Sequence, residues 1–102
     1  LRCQSEDGCW HNILDNPVTP LETSATMAFV SLFGTLINRG LLSEQKYGGM
    51  VERARHALLR RCWRGGFAGN CAGTGLAPGM DYYVRRPFNF LFTGQLAAAL
   101  RV

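Results

Sequence analysis

Residues 19–40 read TPLETSATMAFVSLFGTLINRG and predict a long buried helix. Thr19 can cap this helix, Pro20 suits its first position, and Glu22 would complete a capping box three residues after the cap. The helix should therefore run over about residues 20–39, with the glycine that follows it in the left-handed conformation. Because apolar side chains cover most of its circumference, we expect other elements to pack against it on several sides.

A second helix, from Met50 to Trp63, is predicted to be amphipathic. Ser43 can cap a preceding turn, and the Gly48-Gly49 pair weakens the helix before Met50. The apolar face comprises Val51, Ala54, Leu58 and Cys62, and the basic face comprises Arg53, His56, Arg60 and Arg64. Such a basic face can contact nucleic acid or simply face solvent, and the lack of interleaved aromatic residues favours solvent.

The rest of the chain predicts a glycine-rich loop and a third helix. Phe67–Tyr83 is too rich in glycine for a regular helix and should form an irregular loop that can contain a short strand. Pro87 biases Arg86 toward an extended conformation, and a buried helix should follow from about Phe92 to the end of the chain. No sustained alternation of apolar and polar residues indicates a sheet, so we predict an all-α layer of helical hairpins.

The composition is that of a globular domain. The 102 residues are 47% hydrophobic and 18% charged, which allows a buried core and argues against disorder. No run of about eighteen apolar residues occurs, which argues against a transmembrane helix. The net charge of +4 is modest for a chain of this size. The chain starts without methionine or an apolar signal segment, and its last predicted helix has no C-cap, so we expect a piece of a longer protein.

Four cysteines leave the redox compartment open. Cys3, Cys9, Cys62 and Cys71 permit three disulfide pairings in a secreted protein. Their spacing matches no short metal-binding motif, and buried free thiols are the preferred interpretation. We predict no metal site and no cofactor.

Four motifs along nearly the whole chain resemble those of glycoside hydrolase family 105, the unsaturated rhamnogalacturonyl hydrolases. Residues 7–15, DGCWHNILD, resemble the family's D-G-L-W-H-Q-V-L-D, and residues 21–29, LETSATMAF, resemble its L-E-T-S-A-T-A-M-F helix start. Residues 71–75, CAGTG, resemble its C-x-G-T-G loop, and Tyr82-Tyr83 with Arg86-Pro87 resembles its Y-Y-x-x-R-P. The related family 88 of unsaturated glucuronyl hydrolases shares the fold and is the close alternative.

The resemblance implies an (α/α)6 barrel of six helical hairpins around a central pocket. Residues 1–102 would be a single partial domain, the C-terminal portion of that barrel, and would need the N-terminal hairpins as partner. The implied function is a glycosidase that removes a 4,5-unsaturated uronic acid from the non-reducing end of lyase-generated rhamnogalacturonan oligosaccharides. In this family an Asp is thought to protonate the vinyl ether double bond and to activate the water that adds to it.

The catalytic Asp of the family lies upstream of these motifs. Asp7, Asp15 and Asp81 lie in segments that do not match it, so we predict no catalytic residue in this chain and no activity for the chain alone. The family's Trp-x-Arg-Gly-Asn substrate motif also lies upstream. Residues 89–94, NFLFTG, lack the Asp and the His of the family's Asn-Asp-x-His-Gly, so the pocket lining departs from the family there.

Six residues are candidates for substrate binding: Trp10, His11, Glu22, Ser24, Tyr83 and Arg86. His11 can reach the pocket or make a structural hydrogen bond, and Trp10 can stack on a sugar or, as we favour, pack in the interior. Glu22 and Ser24 lie at a helix N-terminus, where capping alone accounts for Glu22. Arg86 can pair with a uronate carboxylate or brace its own loop.

Two other classes of function compete with the hydrolase. One is a helical module that binds acidic oligosaccharide without catalysis, and the less favoured one is a small basic nucleic-acid-binding domain. The hydrolase interpretation predicts an unsaturated uronyl oligosaccharide as the ligand, and neither nucleic acid nor a membrane as a partner.

Overall fold

The computed structural model of the chain describes residues 1–63, 66–70, 78–85 and 90–92. The elements in chain order are β1 (Trp10–His11), β2 (Leu21–Glu22), α1 (Thr23–Asn38), α2 (Glu44–Arg60), β3 (Cys62–Trp63), β4 (Gly66–Asn70), α3 (Met80–Val84) and β5 (Phe90–Phe92). Helices α1 and α2 pack against each other and form a helical hairpin. Within these ranges no helix combines the length and the apolar character needed to cross a bilayer.

Helix α1 begins at Thr23, three residues later than predicted. The prediction placed Thr19 at the cap and Pro20 in the first turn, but Glu22 is the N-cap and its own side chain accepts the N–H of Ala25. The reason is long-range pairing, because residues 21–22 form a two-stranded ladder with β1 and are therefore extended. The Thr19 hydroxyl instead donates to the Asn16 carbonyl at 2.7 Å.

The end of α1 confirms the predicted glycine termination. Gly40 has a φ of +74°, a conformation that costs glycine little because it has no Cβ. The N–H of Gly40 donates to the Ile37 carbonyl at 2.9 Å, and the N–H of Leu41 donates to the Leu36 carbonyl at 2.8 Å. These two bonds form a Schellman motif and satisfy carbonyls that the helix leaves free.

Helix α2 confirms the predicted cap at Ser43 and corrects both boundaries of the helix. The Ser43 hydroxyl accepts the N–H of Lys46 at 3.2 Å, and the helix runs without a break through Gly48 and Gly49. Two glycines cost about 1 kcal/mol each relative to alanine, a cost that packing against α1 offsets. The helix ends at Arg60 and not at Trp63, because residues 62–63 pair with β4.

The predicted all-α class is wrong in one respect, since two small antiparallel sheets accompany the helices. One sheet pairs β1 with β2, and the other has the order β3-β4-β5. Each strand has five residues or fewer, which is too short for alternation to show in the sequence. The chain remains mostly helical, with 16 residues in α1 and 17 in α2.

The glycine-rich segment and the predicted third helix are only partly described. The predicted short strand of the glycine-rich segment is confirmed as β4, and a short helix, α3, follows where only loop was predicted. The third helix was expected from Phe92, but Phe92 ends strand β5. The rest of that predicted helix, residues 93–102, lies outside the described residues. The same holds for Arg64, the CAGTG motif and Arg86.

The core lies between α1, α2 and β1. Its buried members are Trp10, Met27, Val30, Met50, Val51, Ala54 and Leu58. The α2 contributions follow the predicted apolar face as far as Leu58. A fully buried side chain of the Leu, Met or Val class contributes about 1.5–3 kcal/mol relative to exposure, so burial of this cluster stabilises the packing of α1 on α2.

Residues 1–9, which we call the N-terminal strap, lie against α2. Gly8 has a φ of +109°, and a Cβ there would stand 2.4 Å from the Arg53 carbonyl oxygen, so only glycine fits this approach. The Gln4 side-chain amide donates to the Met50 carbonyl and to the Gly8 carbonyl, both at 2.9 Å. Asp7 contacts two arginines at the end of α2, so the strap is held at both its middle and its end.

Candidate functional site

The β1–β2 ladder brings four of the six candidate residues to one place, the N-terminus of α1. In this ladder Trp10 is opposite Glu22 and His11 is opposite Leu21. Ser24 lies in the first turn of the helix that follows. Residues that are eleven or more positions apart in sequence therefore meet because the chain reverses between residues 12 and 20.

Glu22 is a buried carboxyl group at the positive end of a helix. Its side chain and backbone together are only 4% exposed. The carboxylate accepts the N–H of Ala25 at 2.6 Å and the hydroxyl of Ser24 at 2.7 Å. Backbone N–H groups and the helix dipole stabilise negative charge at this position. Glu22 thus caps α1, and Ser24 holds the carboxylate in place.

Two threonines that the sequence did not single out support this arrangement. The Thr26 hydroxyl accepts the backbone N–H of Trp10 at 3.1 Å and donates to the Glu22 carbonyl at 2.8 Å. The Thr19 hydroxyl accepts the N–H of Ile13 at 3.1 Å. Both side chains are at most 1% exposed. The only hint in the sequence is the density of hydroxyl residues in TPLETSAT, which fits helix capping equally well.

His11 is held by one ring nitrogen and is one of the residues that line an open cleft. Its Nδ1 lies 2.6 Å from the Thr19 carbonyl oxygen, which can only accept, so Nδ1 carries the proton. Among the described residues nothing forms a hydrogen bond or an ion pair with Nε2. In the neutral ring Nε2 is therefore an acceptor for a ligand hydroxyl.

The cleft beside His11, which we call the His11 cleft, has a volume of about 720 Å³ and is open to solvent. Residues 2–6 of the N-terminal strap form one wall, and Leu14, Asp15 and Pro17 of the loop after β1 form another.

Trp10 is in the interior and not at the cleft. It is 4% exposed, and its ring packs edge-to-face on Phe29 with the centroids 5.0 Å apart. This burial fits the packing interpretation, in which the tryptophan supports the backbone that carries His11. Among the described residues, the Trp10 ring therefore has no exposed face on which a sugar could stack.

Tyr83 lies next to the loop that follows His11. The Asn12 side-chain amide donates to the Tyr83 carbonyl at 3.0 Å, so α3 is fastened beside the site by its backbone. The rings of Tyr82 and Tyr83 pack edge-to-face at 5.1 Å, and both side chains are half-buried. Arg86, the remaining candidate, lies outside the described residues.

Two titratable groups on the strap have shifted pKa values. For Asp7, burial acts to raise the pKa, but hydrogen bonds to Arg61 and Arg60 and their positive charges outweigh it and hold the pKa below its ordinary value. Burial raises the pKa of the Cys9 thiol, which keeps it protonated and weakly reactive. Cys3 and Cys9 are both free thiols, but only Cys9 is buried, so the prediction of a buried free thiol is confirmed for Cys9 and Cys3 is half-buried.

The basic face of α2 is partly used within the chain. Arg53 donates to the Gln4 side chain at 2.8 Å, and Arg60 donates to the Asp7 carbonyl at 2.8 Å. His56 is exposed and lies 3.9 Å from Glu52. Two of its three described members thus hold the strap, a role that the amphipathic pattern did not indicate. In the described part of the chain no three His, Cys, Asp or Glu side chains are grouped to hold a metal ion.

The comparisons with known proteins point to two related families of glycoside hydrolases. The family model for Glycosyl Hydrolase Family 88 matches residues 1–100. A crystal structure from Klebsiella pneumoniae subsp. pneumoniae MGH 78578, described as a possible member of the GH105 family, is similar with a TM-score of 0.86 and 30% identity over 97% of this chain. A second one with that description, from Salmonella enterica subsp. enterica serovar Paratyphi A str. ATCC 9150, has a TM-score of 0.86 and 29% identity over 97% of this chain. No curated protein matches.

The chain covers 26% of each of these two solved proteins. It therefore spans about a quarter of their length. The family match extends over almost every residue of the chain, and the resemblance of its motifs to this group of hydrolases is confirmed by the matching solved structures. The chain belongs to glycosyl hydrolase family 88, with the GH105 proteins as its solved structural relatives.

Proposed function

We propose that this chain is part of a glycosidase that removes a 4,5-unsaturated uronic acid from the non-reducing end of a lyase-generated pectin oligosaccharide. The match of the family model over residues 1–100 carries the proposal. The chain would supply one part of an (α/α)6 barrel, and the hairpins that complete the ring would come from the rest of the protein. In that ring α1 is an inner helix whose N-terminus faces the pocket.

The residues of the site divide into those that contact substrate and those that position them. His11 would accept a substrate hydroxyl at Nε2, because Nδ1 is already used by the Thr19 carbonyl. Glu22 and Ser24 would hold the backbone at the pocket mouth, with Tyr83 at its edge. Arg86 would pair with the uronate carboxylate. Trp10 would act from below, by supporting β1 from the core.

The catalytic acid would come from outside this chain, as an Asp of the remaining hairpins. It would protonate the carbon–carbon double bond of the unsaturated uronic acid and then, as the base, activate the water that adds to the cation. The adduct would open and release the next sugar with its hydroxyl group restored. A single carboxyl group suffices, unlike the two that ordinary glycosidases place on either side of the bond.

The test is an assay of the whole protein that contains this chain. Addition of water removes the conjugated double bond, so ultraviolet absorbance of unsaturated rhamnogalacturonan disaccharide should fall with time. We expect His11→Gln to lower kcat/KM by roughly tenfold to a hundredfold, the loss expected for a buried hydrogen bond to substrate.

The chain offers a matched control, because its second histidine, His56, has a side chain that is 68% exposed on α2. His56→Gln should leave kcat/KM unchanged. If the wild-type protein leaves the absorbance unchanged, the proposed function fails. If the two histidine variants had equal effects on kcat/KM, His11 would not belong to the substrate site, although the proposed reaction would still stand.

A further inference from the structure

The Thr19 carbonyl that holds His11 belongs to a closed loop, residues 12–20. The His11 Nδ1–H donates to this carbonyl at 2.6 Å. One residue later, the Pro20 carbonyl accepts the Asn12 N–H at 2.8 Å, which closes the loop at its base. Because the residue before a proline is biased toward extended backbone, Pro20 also restricts the direction of the Thr19 carbonyl. The acceptor of the His11 proton is therefore fixed on its C-terminal side.

The Thr19 side chain fixes the same residue from inside the loop. Its hydroxyl accepts the Ile13 N–H at 3.1 Å and donates to the Asn16 carbonyl at 2.7 Å. The Thr19 N–H donates to the same Asn16 carbonyl at 3.1 Å. Thr19 is only 1% exposed, so water has little access to replace the hydroxyl. Three hydrogen bonds thus tie the residue that carries the acceptor to the earlier part of the loop.

The position of the Thr19 carbonyl decides which nitrogen of His11 accepts a hydrogen bond. A neutral imidazole has one N–H and one acceptor nitrogen, and a carbonyl only accepts, so this contact places the proton on Nδ1. A displacement of the carbonyl by about 1 Å would lengthen the contact beyond hydrogen-bond range, and the proton would be free to move to Nε2. Nε2 would then donate, and a substrate hydroxyl would meet the opposite kind of partner.

We propose that Thr19 is a positioning residue, whose hydroxyl fixes its own carbonyl against His11 and thereby keeps Nε2 of His11 as a hydrogen-bond acceptor. Thr19 acts through His11, since its side chain is buried and makes its hydrogen bonds within the loop. This role replaces the helix capping that the sequence predicted for Thr19, because α1 begins only at Thr23. In its kinetic part the inference rests on the proposed function, whereas the protonation of a ring nitrogen is measured without substrate.

The tautomer of His11 is measured on the whole protein by NMR of ¹⁵N-labelled histidine, at alkaline pH where imidazole is neutral. The His11 signals are identified by their loss in His11→Gln. We expect the wild type to have a protonated Nδ1 and an unprotonated Nε2. Thr19→Val keeps the shape of the side chain but removes the hydroxyl, and it should give a mixture of tautomers or the reverse one. Thr19→Ser retains a hydroxyl and should keep the wild-type signals.

Thr35→Val is the matched control, because Thr35 is exposed on α1 and lies outside the loop. It makes the same chemical change as Thr19→Val and should leave the His11 signals as they are in the wild type. A wild type with a protonated Nε2, or unchanged His11 signals in Thr19→Val, would overturn the inference.

Thr19→Cys takes the place of Thr19→Val if the latter does not fold. A thiol fits the space of the hydroxyl but is only a weak donor and acceptor, so the His11 signals should show a mixture of the two tautomers. Signals identical to those of the wild type would overturn the inference in the same way.

A double-mutant cycle separates positioning from a general loss of structure. On unsaturated rhamnogalacturonan disaccharide, Thr19→Val should lower kcat/KM roughly tenfold when His11 is present. When His11 is already Gln, the same change should cost less than about twofold, because the residue through which Thr19 acts is gone. Equal losses in both backgrounds would overturn the inference. If the wild type does not hydrolyse this substrate, the proposed function fails, while the NMR result still decides the inference.

Discussion

Helices α1 and α2 are nearly equal in length and both bury apolar side chains, but only α1 also buries polar ones. At the start of α1, Glu22, Thr23 and Thr26 are at most 4% exposed, whereas Leu32 in its middle is 52% exposed. Helix α2 buries apolar residues such as Leu58 and exposes its charged residues. One helix therefore adds buried polar groups at its N-terminus to an apolar core face, and the other buries only apolar side chains.

This difference indicates that the two helices have different neighbours in the complete protein. The strap and α1 cover the apolar face of α2, and the side of α2 turned away from them is largely charged, although it includes Leu59, which is 46% exposed. Helix α1 presents buried hydrogen-bonding groups near His11 and an uncovered apolar side along Leu32. In the proposed barrel the hairpins outside this chain would cover that side, and the polar N-terminus would face the pocket.

The largest effect should come from truncation of the shared core. Leu58→Ala on α2 should lower the free energy of unfolding of the whole protein by about 2–5 kcal/mol, because it leaves a cavity in a close-packed site. Leu32→Ala on α1 should cost about 2 kcal/mol as well if barrel neighbours cover it. Denaturant unfolding of both variants measures this. A cost below about 0.5 kcal/mol for Leu32→Ala, as is usual for surface positions, would contradict the barrel.

The helix caps provide the second comparison. Glu22→Ala removes a buried cap and leaves the Ala25 N–H and the Ser24 hydroxyl without their acceptor, so we expect a loss of about 1–3 kcal/mol. Ser43→Ala removes an exposed cap from α2, where water can replace the hydroxyl, and should cost about 0.5–1 kcal/mol. Thermal unfolding of the two variants checks the order. Equal losses would show that the buried position of Glu22 adds nothing to capping.

The smallest effect concerns the attachment of the strap to α2. The pKa of Asp7 is lowered in the folded state, so its stabilisation is complete above the unfolded-state pKa of about 3.9 and is lost as the pH falls through the folded-state value. At neutral pH the partly exposed contacts with Arg60 and Arg61 should contribute about 0.2–1 kcal/mol.

Unfolding measured between neutral and acid pH tests this contribution. Asp7→Asn should be less stable than wild type at neutral pH and should match it at low pH, where Asp7 is protonated in both states. Asp81→Asn is the control, since the Asp81 side chain is 77% exposed and its ion pair among the described residues is with Arg85, four positions later. If Asp7→Asn differed from wild type by the same free energy of unfolding at every pH, the lowered pKa of Asp7 would not be the cause of the difference.

Sequence patterns predicted the features that depend on neighbours close along the chain. The Ser43 cap and the Gly40 termination each need only the residues within one turn of a helix, and both are present. The apolar face of α2 follows from helical periodicity. The position of Glu22 was only half predicted. A capping role was expected, but its place in the cap depends on a partner strand eleven residues earlier.

The contacts that build the site could not be predicted in this way. Strands of two residues have no periodicity, so the pairing of Trp10 with Glu22 is invisible in the sequence. The His11 cleft requires the strap to lie on α2, which depends on Gly8 fitting against Arg53. Neither residue of that pair indicates the other, since they are more than forty positions apart.

Taken by itself, the amino-acid sequence determined the two principal helices, the apolar face of the second one, and the family to which its motifs point, because these are properties of short-range order and of motif identity. The tertiary structure alone decided where α1 begins, which nitrogen of His11 remains available, and which charges share a cleft. The physical reason is that hydrogen bonds between distant segments compete with local helix formation, and their outcome depends on packing that no local pattern encodes.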